Sequence, residues 1–411
     1  MKVKICANRT IEDARMSLGA GADIIGLLVG QEHTSNDFID KYKAKEICDY
    51  IAGRCDVSLV THLKNADEII ELTEFIGNNI IQLHSDIEES EVEKIKQNLP
   101  KIKLVRIVHL AKDGTIHSNL ETIKYADYYL MDSFNLATNQ VGGTGLTYDW
   151  KKAGELIKKL DKPVFLAGGL NPENVRKAIS QANPYGVDVN SGCKLDGVKN
   201  VDKVREFVAN AKWNDIKAII FDFDGTFFSG SVWDDWGNYL LEFIDLFLDG
   251  HKKYKKIIDN YTSGSMMAEM TIKEKGSAEL FYKYQGDVIY NIESDDIVLV
   301  NAQKIKKLSK KYKLFIVSNS HYNYLIYHLD KFKIDKTCFK EIIDNKFKTE
   351  DISKFQAYFN LLNKYKLNPE SVLVVGDSYK SDILPAKKLN IQGVLVDDAS
   401  ETNVVIDRLL K

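Results

Sequence analysis

Short apolar runs rich in Val, Ile and Leu recur through the first half of the chain. Between them lie longer stretches whose apolar positions return every three or four residues. The runs KVKICA, IIGLLV, VSLVTH, NIIQLH, KLVRIV, YYLMDS, PVFLAG and GVDVNS read as strands. AKEICDYI, ADEIIELTEFI, SEVEKIKQNL, TYDWKKAGELIKKL and NPENVRKAI carry the helical period, the last with a proline in its first turn. Eight strand–helix units in about 210 residues predict a closed parallel (β/α)8 TIM barrel over residues 1–211, its active site at the C-terminal strand ends. The pattern stops in ANAKWND, and KAIIFDFDG opens a second rhythm. Residues 215–411 predict a Rossmann-like open α/β sheet: a strand, a helical, aromatic-rich insert over roughly 229–295, then KLFIVSNS, SVLVVGDS and GVLVDD. The insert reads as a cap over a pocket, its Trp and Met residues packing helix against helix.

A chain of 411 residues can bury two separate cores, and 44% hydrophobic with 28% charged residues is an ordinary globular composition. A net charge of -3 without a basic stripe argues against a nucleic-acid partner. Apolar runs such as IIGLLVG are too short to span a membrane, and MKVKICANRT has no signal-peptide core, so a cytoplasmic protein with no membrane partner is expected. Cys6, Cys48, Cys55, Cys193 and Cys338 are scattered with no CxxC spacing, the usage of reduced thiols.

In IIFDFDGT, strand alternation sends Asp222 and Asp224 to one side, and the turn at Gly225 sets them at the C-terminal edge of a parallel sheet. GDSYKSD ends another run with Asp377 and Asp382, and FIVSNS a third with Ser318 and Asn319. Alone, DxD fits a solvated turn; three such strand ends converging on one crevice describe a hard-cation site beside a phosphate pocket. This half resembles the haloacid dehalogenase superfamily, mostly phosphatases. The resemblance implies Asp222 as nucleophile and Asp224 as general acid and base. It also implies Mg2+ held by Asp222, Asp377 and the Asp224 carbonyl, with Asp382 in support. Ser318 and Asn319 fall in the phosphate-binding segment, and Lys354 or Lys348 supplies the expected lysine.

The first half is similar to phosphoribosylanthranilate isomerase, which opens an aminoaldose phosphate and rearranges it to an aminoketose. The likeness rests on KICAN, IQLH, LMDS, GGTGLTYDW, LAGGLNPENV and VDVNSG in that order. It implies Cys6 as general base and Asp132 as general acid; without it, Cys6 reads as a small buried apolar residue and Asp132 as a strand-end cap. Gly168, Gly169, Ser191 and Gly192 match the place where such barrels cradle a phosphate. Gly142, Gly143 and Gly145 form either a loop closing on substrate or a plain turn.

Three positions depart from that family. Ala7 replaces a glycine and Lys194 a glutamate, and Ser35-Asn36-Asp37 stands where Ser-Pro-Arg, whose arginine pairs with the anthranilate carboxylate, is usual. A substrate carboxylate would be repelled by Asp37, which favours a small sugar phosphate or an amine; the alternative is an exposed loop aspartate. The resulting expectation is a bifunctional enzyme for a small phosphorylated sugar: an aldose–ketose isomerase joined to a Mg2+ phosphomonoesterase. A phosphatase with a non-catalytic barrel and an authentic phosphoribosylanthranilate isomerase fused to a phosphatase are the alternatives. The oligomeric state is left open.

Overall fold

The computed structural model describes residues 1–410 except 31–34, 112–114, 117, 119–122, 136–139, 142–146, 214, 230–235, 249–270, 272–274, 277–279, 282–283, 285–296, 321 and 345–353. The chain divides into two compact units, Met1–Asn214 and Asp215–Lys411.

In the first unit the eight apolar runs form strands β1 (Lys2–Ile5), β2 (Ile24–Leu28), β3 (Asp56–Thr61), β4 (Ile80–Leu83), β5 (Lys103–Leu110), β6 (Tyr128–Asn135), β7 (Val164–Leu166) and β8 (Gly186–Val189). All pair in parallel in the order β5-β4-β3-β2-β1-β8-β7-β6, and β5 pairs with β6, so the sheet closes. Closure removes both edges, which an open sheet would leave with unpaired backbone groups. Ile24, Ile80, Val105, Ile107, Leu130 and Phe165 pack together inside the barrel, with Ala167 just past the end of β7 capping the cluster. The helices Lys41–Ile51 and Ala66–Ile76 start on Asp40 and Asn65, whose side chains accept from first-turn N–H groups, and turn their apolar faces onto the strands.

The NPENVRKAI helix begins later than its proline implies, at Val175. Asn171 and Asn174 exchange reciprocal side chain to backbone hydrogen bonds of 2.9 Å, closing a turn that holds Pro172 outside the helix.

In the second unit β9 (Ala218–Phe221), β10 (Lys313–Val317), β11 (Phe339–Ile343), β12 (Val372–Gly376) and β13 (Gln392–Leu395) form a parallel sheet in the order β11-β10-β9-β12-β13. Strand β11, FKEII, is an edge strand buried only at Phe339, and it lacks the continuous apolar run that marks its neighbours. Because β9 is central and its neighbours follow it from opposite sides, the ligand crevice of such a sheet opens beyond its C-terminal end. Within the insert the described residues include the helix Trp236–Phe247, where Phe243 and Phe247 pack against Tyr284. Among the described residues no helix is long and apolar enough to cross a membrane.

Candidate active sites

At the mouth of the barrel, Cys6 follows β1 and its N–H donates to Val189 O on β8 at 2.8 Å. A Cβ on Gly26 of β2 would lie 2.9 Å from Cys6 Sγ, so the glycine makes room for the thiol. Ala7 adopts φ 56°, a left-handed conformation costing a residue with a Cβ about 1 kcal/mol; this is where the related family carries glycine.

Strand alternation turns Lys4 toward the same interior as Cys6. Its Nζ donates to Asp188 Oδ2 at 2.8 Å, to Gln82 Oε1 at 2.9 Å and to Cys6 Sγ at 3.5 Å. Lys4 and Asp188 are direct partners in the β1–β8 register, so the ladder itself sets the ion pair. A second buried amine, Lys199 Nζ, donates to the Cys6 carbonyl at 2.8 Å. Burial pushes the Cys6 thiol up, against the pull of Lys4 and Lys199.

Asp132 lies on β6, buried, with Ser133 N–H donating to its Oδ1 at 2.7 Å. Burial raises its pKa to about 6; the Asp188 charge adds to the rise, while Ser133 and Lys4 oppose it. The Lys4–Asp188 pair therefore acts electrostatically on both Cys6 and Asp132. Tyr148 Oη, from GLTYDW, reaches Met131 O at 3.1 Å and Ala167 O at 2.9 Å, bracing the ends of β6 and β7.

Gly168 and Gly169 follow β7 with φ 80° and 63°. A Cβ on Gly168 would meet Ser133 N at 2.9 Å, and one on Gly192 would meet Leu170 O at 2.0 Å. Ser191 is exposed and Gly192 half-buried in the short turn after β8. These positions present backbone at the mouth, as a phosphate cradle needs. Gly143, with Gly142 and Gly145, lies outside the described residues.

Asp37 is not a bare carboxylate. Lys194 Nζ pairs with its Oδ1, and Asn190 Nδ2 donates to its Oδ2 at 2.8 Å. Burial works against its charge, but these hydrogen bonds outweigh it and hold the pKa below the usual carboxylate range. The positions of the missing arginine and the missing glutamate thus form one ion pair, with the signs exchanged.

In the second unit Asp222 follows β9 and meets Lys354, which is wholly buried at the start of the helix Phe355–Tyr365. Lys354 Nζ lies 2.5 Å from Asp222 Oδ1 and 2.6 Å from Asp382 Oδ1. Lys348 lies outside the described residues. Asp222, Asp377 and Asp382 bring carboxylate oxygens within 4.8 Å of one another. Gly225 has φ 72°, and a Cβ there would sit 2.2 Å from Asp377 Oδ2, so only glycine admits that carboxylate. Burial raises the pKa of Asp222 to about 7 against the pull of Lys354, and that of Asp382 to about 6. Three converging carboxylates facing one ammonium leave two negative charges uncompensated when all are ionised, which suits a divalent oxygen-loving cation.

Asp224 is held by two hydroxyls: Ser320 Oγ donates to its Oδ2 at 2.5 Å and Tyr324 Oη to its Oδ1 at 2.6 Å. Ser318 is buried, its Oγ accepting from Ser320 N–H at 3.0 Å, and Asn319 beside it is half-buried.

Sequence reasoning passed over Lys4, Gln82, Asp188, Lys199, Tyr148, Ser320 and Tyr324. The available signal was period two: Lys4 and Cys6 share a strand face, and Asp188 interrupts an apolar strand.

A family model for N-(5'phosphoribosyl)anthranilate (PRA) isomerase matches residues 3–210, and one for haloacid dehalogenase-like hydrolase matches residues 216–390. N-(5'-phosphoribosyl)anthranilate isomerase 2 of Methanosarcina mazei is 41% identical over 213 residues, 52% of this chain and 94% of that protein. The isomerase of Methanocella arvoryzae is 33% identical over 212 residues, 51% of this chain and 98% of that protein. Among solved structures, the isomerase of Pyrococcus furiosus is 28% identical with a TM-score of 0.43, covering 52% of this chain and 98% of its own.

Proposed function

Since the chain belongs to the N-(5'phosphoribosyl)anthranilate isomerase family through residues 3–210 and carries a haloacid dehalogenase-like hydrolase domain in residues 216–390, we propose that it is a two-activity enzyme. The barrel rearranges phosphoribosylanthranilate to its aminoketose, and the second unit hydrolyses a small phosphomonoester. The observation that carries the barrel reading is the Cys6–Lys4–Asp188 constellation beside Asp132. Asp132, with a pKa of about 6, keeps enough of its acid form near neutrality to protonate the ring oxygen as the C1–O bond breaks. Cys6, as thiolate, then takes the proton from C2, and the enolamine collapses to the ketone. Gly168, Gly169, Ser191 and Gly192 receive the phosphate. Lys194, nearly buried and held by Asp37, is the cation for the anthranilate carboxylate.

In the hydrolase unit an Asp222 carboxylate oxygen attacks phosphorus while the ester P–O bond breaks. Asp224 gives its proton to the departing alkoxide, then takes one from the water that cleaves the aspartyl phosphate. Lys354 holds Asp222 in place, and Ser318 donates to a phosphoryl oxygen. Mg2+ bound by Asp222, Asp377 and the Asp224 carbonyl, with Asp382 behind, would offset the charge of nucleophile and phosphate.

A second reading, a phosphorylated aldose without an aromatic carboxylate as barrel substrate, is favoured by Asp37 itself. Steady-state assays of the full chain and its Asp222→Asn variant separate the two. Efficient turnover of phosphoribosylanthranilate by both proteins, with phosphate release only by the wild type, is expected. Turnover of C3 to C7 aldose phosphates in place of phosphoribosylanthranilate would refute the anthranilate assignment, and phosphate release by Asp222→Asn would refute the aspartyl-phosphate route.

A further inference from the structure

We infer that Lys4 is a positioning residue for Cys6, its ammonium anchored by Asp188 and Gln82 so that one N–H points at Sγ and holds the thiolate in place to receive the C2 proton. The inference rests on the proposed role of Cys6 as base and adds a residue to it. Lys4 is 2% exposed, so the amine is shielded from bulk solvent. Two of its three donors go to Asp188 Oδ2 at 2.8 Å and Gln82 Oε1 at 2.9 Å, on strands β8 and β4. Those partners lie on different walls of the barrel and fix the direction of the third donor, toward Cys6 Sγ at 3.5 Å. Burial disfavours the ammonium, but Asp188 and Cys6 more than restore it, and the Lys4 pKa is raised.

The charged groups facing the thiol are Lys4 from its own strand, Asp188 from β8 and Lys199 from the segment after β8. Asp188 opposes the thiolate, and Lys199 is engaged with the Cys6 carbonyl, so the lysine hydrogen-bonded to sulfur is Lys4. Burial already pushes the Cys6 thiol up, and without the Lys4 bond its thiolate would be harder still to form; a protonated sulfur cannot take a proton from carbon. Proton transfer leaves a neutral thiol beside an unchanged Lys4–Asp188 pair, so Lys4 exchanges no proton in the step.

The test reads Cys6 directly: the pH dependence of its alkylation by iodoacetamide in the full chain, followed by mass spectrometry of the Cys6 peptide. In Lys4→Met the alkylation midpoint is expected to rise by about one to two pH units, the scale of one hydrogen bond to a charged group. Isomerase kcat should fall about tenfold or more at pH 7 with KM little changed, and the deficit should close as pH rises. Lys4→Met leaves Asp188 buried without a cation, so Lys4→Met/Asp188→Asn is measured beside it, with a smaller rise in the same direction expected. A wild-type midpoint in either folded variant, as judged by hydrogen exchange of barrel peptides, overturns the assignment. Wild-type isomerisation by Cys6→Ser overturns the base reading instead, and leaves the alkylation result to stand or fall by itself.

Discussion

Replacing Asp132 by asparagine should stabilise the barrel while abolishing its chemistry. The Asp132 carboxyl has a pKa of about 6 in the folded protein against 3.8 for an unburied aspartate, because burial withholds solvation from its charge. Below about pH 4 the group is protonated in both states and nothing is lost. Between about pH 4 and 6 the unfolded chain releases the proton and the folded chain retains it, so stability falls as pH rises. Above pH 6 the full cost is present, about 2 units or ~3 kcal/mol. Asparagine keeps an acceptor for the Ser133 N–H but brings an amide that needs its own partner, so a net gain of about 1–3 kcal/mol at pH 8 is expected. The gain should vanish near pH 4. Hydrogen exchange of β6 and β7 peptides at several urea concentrations and pH values measures it for the barrel alone. Isomerisation should fall at least about a hundredfold. A variant no more stable at pH 8 than at pH 4.5, relative to wild type, would refute the buried-acid argument.

Two other perturbations test the supports of each site. Tyr148→Phe removes the hydroxyl shared by Met131 O and Ala167 O and should cost about 1–2 kcal/mol in urea unfolding of the barrel; an unchanged midpoint would mean that those carbonyls are served by other donors. Lys354→Met strands Asp222 and Asp382 without their ammonium, so it should lose phosphatase activity and about 3–5 kcal/mol of stability in EDTA, with Mg2+ raising its Tm more than that of the wild type; Tm values indifferent to Mg2+ in both proteins would remove the metal from this site.

The fold was legible because buried parallel strands announce themselves. All eight barrel strands are largely apolar runs of three to eight residues, and each falls where periodicity puts it. What periodicity could not supply was the edge strand Phe339–Ile343. At the sheet edge and mostly part-exposed, it carries Lys340 and Glu341 side by side and reads as a loop. The start of the helix at Val175 was hidden for a different reason, since the Asn171–Asn174 exchange is a side-chain device that a proline signal does not encode.

The sites were legible where a strand ends in an acid or a glycine, and opaque where chemistry depends on a partner far along the chain. FDFDG and GDSYKSD name their carboxylates, yet the sequence cannot say that Lys354 bridges Asp382 to Asp222, because the contact with Asp222 closes over 132 residues. Asp37 makes the same point about sign. Read alone, it reverses the charge of a carboxylate-binding position and argues against an anionic ligand. Paired with Lys194, a residue 157 positions away, it becomes half of a neutral unit that still offers one cation at the barrel mouth. Two departures that look independent in the sequence are therefore one exchange, and the quantity a ligand meets is the field of the pair rather than the charge of either residue. Specificity at this mouth turns on which member of the pair points at the ligand, so a comparison of charges position by position cannot predict it.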